Sequence, residues 1–165
     1  MNELIEQLVG LIREEEDVLV EFLDCLILQK ECIVSNKFDQ FDETVQSQER
    51  LIRRIRELES GRVEVVGSIA RIAGTDADLT ITRLIELNLG ESSEELRSLK
   101  RTLAGLIEKI KKANKVNQYL IKRSLSFIQR NIDMFIDETD SSETYLPNGS
   151  RQQRGPSRLL IDKAF

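Results

Sequence analysis

LRSLKRTLAGLIEKIKKANKVNQYLIKRSLSFIQRNIDM, residues 96–134, is the most regular stretch of the chain. Leu96, Leu103, Ile110, Asn117, Ser124 and Asn131 recur every seven residues, and Leu99, Leu106, Ala113, Leu120, Phe127 and Met134 recur three positions later without a slip. Rows offset by three and four residues adjoin on one face of an α-helix, so the stretch predicts a single long amphipathic helix. Ser92-Ser93-Glu94-Glu95 just before it is a capping-box candidate, the Ser92 hydroxyl accepting from the Glu95 N–H while the Glu95 carboxylate reaches back. Continued to about Asp137, the helix would be ~65 Å long at its usual rise per residue. That exceeds what a compact domain of 165 residues needs, so an elongated bundle or an oligomer seam follows. The rows are aliphatic up to Ile110. Beyond it Asn117, Ser124 and Asn131 put polar groups on the seam, either buried with hydrogen-bond partners or at a solvated edge, with Ile121, Ile128 and Phe135 turning the apolar face sideways.

Toward the N-terminus, residues 2–34 carry a second heptad pattern. Leu4, Leu11, Val18, Cys25 and Cys32 form one row, Leu8 and Phe22 another, and Ile5, Ile12, Leu19, Leu26 and Ile33 a third. Three adjoining rows make a face too broad for a two-stranded seam, and suit a helix packed against two neighbours. Glu15 interrupts the second row, where a snorkelling carboxylate or a basic residue from a neighbouring helix is the expectation. Residues 35–37 read as a turn or kink. After it, apolar residues from Phe38 to Ile72 keep helical spacing, with Gly61 and Gly67 weakening the later half and a break possible near 60–62. Gly74-Thr75-Asp76 reads as a stop, and residues 80–89 as a short amphipathic helix ended by Gly90.

The fold expected is therefore all-α: an elongated antiparallel helical bundle, or coiled coil, of three long helices plus a short one. It should occupy residues 1–139, followed by a flexible tail over 140–165. Tyr145-Leu146-Pro147-Asn148-Gly149 is a turn sequence, and residues 140–157 lack the apolar content to fold alone. The chain then ends in an apolar cluster, Leu159, Leu160, Ile161 and Phe165, whose exposure would call for a partner, for the body of this domain, or for nothing beyond a sticky end.

Composition supports helices: 40% hydrophobic, 32% charged, only 2 Pro and no Trp. With Glu3 and Glu6 at the start in place of a basic patch and an apolar core, no signal peptide is expected, and a cytoplasmic location follows. No apolar run approaches the length of a membrane span. Cys25 and Cys32, ~10 Å apart along a helix, are too distant for a disulfide and read as small apolar residues. The net charge of −5 conceals an asymmetry, since residues 1–43 carry −9 and residues 97–130 carry +9. No aromatic or glycine-rich pattern interleaves the basic segment, so complementation by the chain's own acidic segment is favoured over nucleic acid.

Chemistry is sparse. The absence of His removes the commonest general base and the Glu-x-x-His metal motif. No phosphate-binding glycine loop, dinucleotide fingerprint or Cys-x-x-Cys pair occurs, and Glu14-Glu15-Glu16-Asp17 point in different directions around a helix. No enzyme, cofactor or metal site is expected.

Asn114-x-x-Asn117-x-x-Leu120-Ile121, followed by Ser124-Leu125 and Ile128 and then by Thr144-Tyr145-x-x-x-Gly149, resembles the C-terminal signature of FlgN-type flagellar export chaperones. In that family an Asn-x-x-Asn-x-x-Leu-Leu helix leads into a Tyr-x-x-x-Gly turn. Gln48, Leu51, Ile52, Ile55, Leu58, Glu59 and Arg62, and Leu79-Thr80-Ile81, are also similar, at positions most amphipathic helices would fill. The resemblance implies a cytoplasmic chaperone without cofactor that binds hook–filament junction (hook-associated) proteins, prevents their premature association and delivers them to the flagellar export apparatus. It places client binding in the C-terminal region. Asn114, Asn117, Leu120 and Tyr145 match motif positions; Phe127, Ile128, Met134, Leu159, Leu160, Ile161 and Phe165 are added on their apolar character. The alternative is a structural coiled-coil adaptor or dimerisation module that self-associates through 96–134 and has no export client.

Overall fold

The computed structural model describes residues 1–74, 82, 85 and 91–140, the last four and residues 91–92 through their backbone alone. Three long helices account for most of these residues: α1, Asn2–Val34, α2, Phe38–Ala73, and α3, Glu91–Asp140. The chain is all-α, and no strand occurs among the described residues. The short helix expected over 80–89 lies outside the described residues, apart from Thr82 and Ile85, which are helical. The tail expected over 140–165 likewise lies outside them beyond Asp140.

The turn between α1 and α2 has a local cause. Asn36 adopts the left-handed conformation, φ 55°, which asparagine tolerates because its short polar side chain offsets part of the cost. This lets the Lys37 N–H donate back to the Cys32 carbonyl at 2.9 Å and the Asn36 N–H to Ile33 at 3.4 Å, the paired closure of a Schellman motif. α2 ends at Gly74, also left-handed at φ 65°, whose N–H donates to the Arg71 carbonyl at 3.4 Å and whose lack of a Cβ removes the penalty.

α1 and α2 run antiparallel. As the numbers rise in α1 they fall in α2: the Leu11 side chain lies against Gly61, Arg54 donates to Glu14 at 2.8 Å, and the Cys25 thiol donates to the Thr44 carbonyl at 3.3 Å. α2 is unbroken through residues 60–62. The break expected there does not form, because Gly61 faces α1 with Leu11 3.5 Å from where a Cβ would stand, and the packed neighbour holds the helix through its weak point.

The core joins all three helices. Ile5, Leu8, Val9 and Ile12 of α1 meet Val65, Ile69 and Ala70 of α2 and Leu96 and Leu99 of α3, with Leu4, Leu11, Val66, Ile85 and Leu103 packed around them. A fully buried Leu or Ile contributes roughly 1.5–3 kcal/mol over an exposed one. Farther along, Asn117 of α3 meets Leu26 and Gln29 of α1, so α3 ascends beside α1. By contact the chain divides into two compact units, Met1–Ile121 and Lys122–Phe165, and α3 supplies residues to both.

Candidate functional site

The polar seam residue Asn117 belongs to the first unit and is 1% exposed. Its amide nitrogen donates to the Leu26 carbonyl at 2.8 Å and to Gln29 Oε1 at 2.9 Å. Its own Oδ1 is buried without a partner. A buried amide gains stability only in the one register where its partner lies opposite, so Asn117 and Gln29 pin α3 against α1. Asn114, three residues earlier, is exposed, and Leu120 is half-buried. The motif residues of α3 thus divide between a side chain in the interior and one in solvent.

Glu15 sits opposite Arg62 of α2, 3.5 Å from Nε, and that Nε makes no hydrogen bond. Burial pushes the Glu15 carboxyl above the usual range; Arg62 draws it down and Glu59 pushes it up. The interrupted row is filled by an ion pair, as one of the two expectations for Glu15 held. Ser92 lies inside α3, not before it, and the Glu95 carboxylate accepts from Arg13 of α1.

The charge pattern resolves differently from the expected complementation. Among the described residues the ion pairs between helices are Glu14–Arg54, Glu15–Arg62 and Arg13–Glu95. None joins an α1 carboxylate to an α3 base. α1 and α3 meet through apolar faces, which sends their charges outward. The Cys25 and Cys32 thiols are free, Cys32 being buried, and burial pushes the Cys25 thiol up.

In the second unit α3 presents the opposite of a core. Leu125, Phe127, Ile128, Ile132 and Met134 are between 46% and 63% exposed. Leu125, Ile128 and Ile132 follow i, i+3, i+7 spacing and form one stripe, while Phe127 and Met134, seven residues apart, form a second stripe beyond the row of Ser124 and Asn131. Exposed apolar surface of this kind on a helix, divided by Ser124 and Asn131 and flanked on one side by Lys122, Ser126, Gln129 and Asp133, is suited to take up another amphipathic helix. The candidates Phe127, Ile128 and Met134 fall within it. Leu125 and Ile132 share the stripe of Ile128 and were not among the sequence candidates, although their spacing from it was readable. Tyr145, Leu159, Leu160, Ile161 and Phe165 lie outside the described residues.

Among the described residues no group of three or more His, Cys, Asp or Glu side chains is placed to hold a metal ion. No helix among them is long and apolar enough to cross a membrane.

An uncharacterised protein of Bacillus subtilis (strain 168), YvyG, is 26% identical over 157 residues, covering 91% of this chain and 93% of that protein. No solved structure matches the chain. The profile of the FlgN protein family matches residues 1–153, nearly the full chain, and the protein therefore belongs to the FlgN family.

Proposed function

We propose that this protein is a cytoplasmic flagellar export chaperone, which binds hook–filament junction proteins through the exposed apolar surface of α3 and keeps them from associating before secretion. Membership of the FlgN family supports the flagellar setting. The observation that carries the mechanism is the run of exposed apolar side chains from Leu125 to Met134. A client's terminal helix, sticky by design because it must later assemble with its neighbours, would bury its apolar face there. Residues 1–121 act as the scaffold, their three helices forming an antiparallel bundle, and Asn117 serves as a positioning residue that sets the register of α3. Tyr145 and the apolar end at Leu159, Leu160, Ile161 and Phe165 would add apolar contacts to the client.

The test is direct binding of a purified junction protein to the full chain, with complex mass measured alongside affinity. Leu125→Ala combined with Phe127→Ala and Ile128→Ala should weaken Kd at least about tenfold, since each lost contact of this type is worth roughly 1 kcal/mol or more, while circular dichroism and the unfolding midpoint stay unchanged. An unaltered Kd would remove the α3 surface from the mechanism. Failure of any junction protein to bind, alongside self-association that the Leu125, Phe127 and Ile128 substitutions abolish, would identify a structural adaptor instead.

A further inference from the structure

The outer faces of α1 and α3 carry opposite charge that no ion pair among the described residues takes up. On α1, Asp17, Glu21 and Asp24 follow i, i+4, i+7 spacing on the side away from buried Ile12, Leu19 and Leu26. All three are exposed and form no ion pair or hydrogen bond among the described residues. Glu3, Glu6 and Glu31 extend the same acidic side along the helix. On α3, Lys112 and Lys115 point away from buried Leu106 and Asn117, with Lys109 on the flank, and these three are equally exposed and form no ion pair or hydrogen bond among the described residues.

The two triplets match in length. Asp17 to Asp24 covers ~10 Å and Lys109 to Lys115 covers ~9 Å at the usual helical rise. Each face also carries an exposed glycine that packing within the chain does not explain: Gly10 on α1 and Gly105 on α3 have no atom within 4 Å of where a Cβ would stand. A glycine inside an exposed helix lowers its stability, and a helix approaching closely from outside gives it a use. Exposed apolar side chains accompany the charges, Val20 and Ile27 on α1 and Val116 on α3.

We propose that these faces bind a second copy of this chain, the acidic side of α1 in one copy seated against the basic side of α3 in the other. Within one chain the two faces cannot meet, because α1 and α3 already adjoin through their apolar sides. Between copies each face finds its complement, and opposite charge selects partner and orientation. The inference stands on unit Met1–Ile121 and is independent of client binding at Leu125–Met134.

Sedimentation velocity of the full chain across a wide concentration range provides the test. Self-association is expected at low salt. It should weaken at least about tenfold between about 0.1 M and 1 M salt, as the Debye length falls from about 10 Å to about 3 Å. Lys112→Glu with Lys115→Glu should abolish it, and so should Asp17→Lys with Glu21→Lys. Mixing the two variants should restore association, because each then offers the charge the other lacks. Circular dichroism of each variant checks that these surface changes leave the fold intact. A chain that stays monomeric at low salt would overturn the proposal, and so would association that ignores salt or fails to return in the mixture.

Discussion

Leu99 and Phe127 occupy the same row of the same helix, four heptads apart, yet Leu99 is 8% exposed and Phe127 63%. The row itself does not change: its seven-residue spacing continues through Leu106, Ala113 and Leu120. What changes is the neighbour. In the unit Met1–Ile121, α1 and α2 lay Ile5, Leu8, Val65 and Ile69 against the row, whereas in the described part of the second unit no side chain covers Leu125, Ile128 or Ile132. Periodicity tells which residues of a helix share a face. It does not tell whether that face has been spent on the fold or kept for another molecule.

The comparison can be broken most severely by truncating the row at both ends. Leu99→Ala should cost ~2–5 kcal/mol of unfolding free energy in a denaturant titration. Phe127→Ala, chemically the larger deletion, should cost no more than ~0.5 kcal/mol, and should show instead in client affinity. Similar losses at the two sites would mean that the second stretch is covered after all.

A smaller effect sharpens the boundary between the two fates. Asn117→Ala removes two hydrogen bonds and strands Gln29 Oε1 in the interior, at a cost of roughly 1–3 kcal/mol. The double variant with Gln29→Leu should recover part of that loss, because no orphaned acceptor remains. A cycle with zero coupling would deny the polar pair its role in setting register.

The smallest effect concerns the price of building the covered region around a carboxylate. Glu15 has its pKa raised chiefly by burial, so the folded chain holds that proton more tightly than the unfolded chain does. Its contribution to stability is therefore fully present below the unfolded carboxyl pKa and declines as pH rises through the raised folded value. Replacing it by Gln should flatten the stability profile over that acidic window, as read by unfolding midpoints at successive pH values. A profile unchanged in slope would show that Arg62 offsets the burial completely.

Much of the fold was legible because it is written locally. The first helix, the turn at 35–37 and the stop at Gly74 each follow from periodicity and turn chemistry within a few residues. The unbroken passage of α2 through Gly61 was not, since it depends on Leu11, fifty positions earlier. The same holds for the Arg62 that answers Glu15 and for the Gln29 that answers Asn117. Such pairs are set by how helices meet, and a single sequence carries no record of the meeting. Of the candidate surface, Phe127 and Met134 were readable as apolar, but their exposure was not, because the same row is buried at Leu99 and Leu106, twenty-eight residues upstream.

The tight connection at Ser35–Lys37 has a kinetic side. α1 and α2 are joined by three residues, so the entropy of closing the loop between them is close to its minimum, and contacts between sequence neighbours form fast. Synthesis at about 5–20 residues per second leaves roughly 3–13 s between completion of α2 and of α3. The hairpin can therefore form as a template before the third helix is finished, and the order of manufacture brings α3, with the surface proposed to take the client, to a base already laid down.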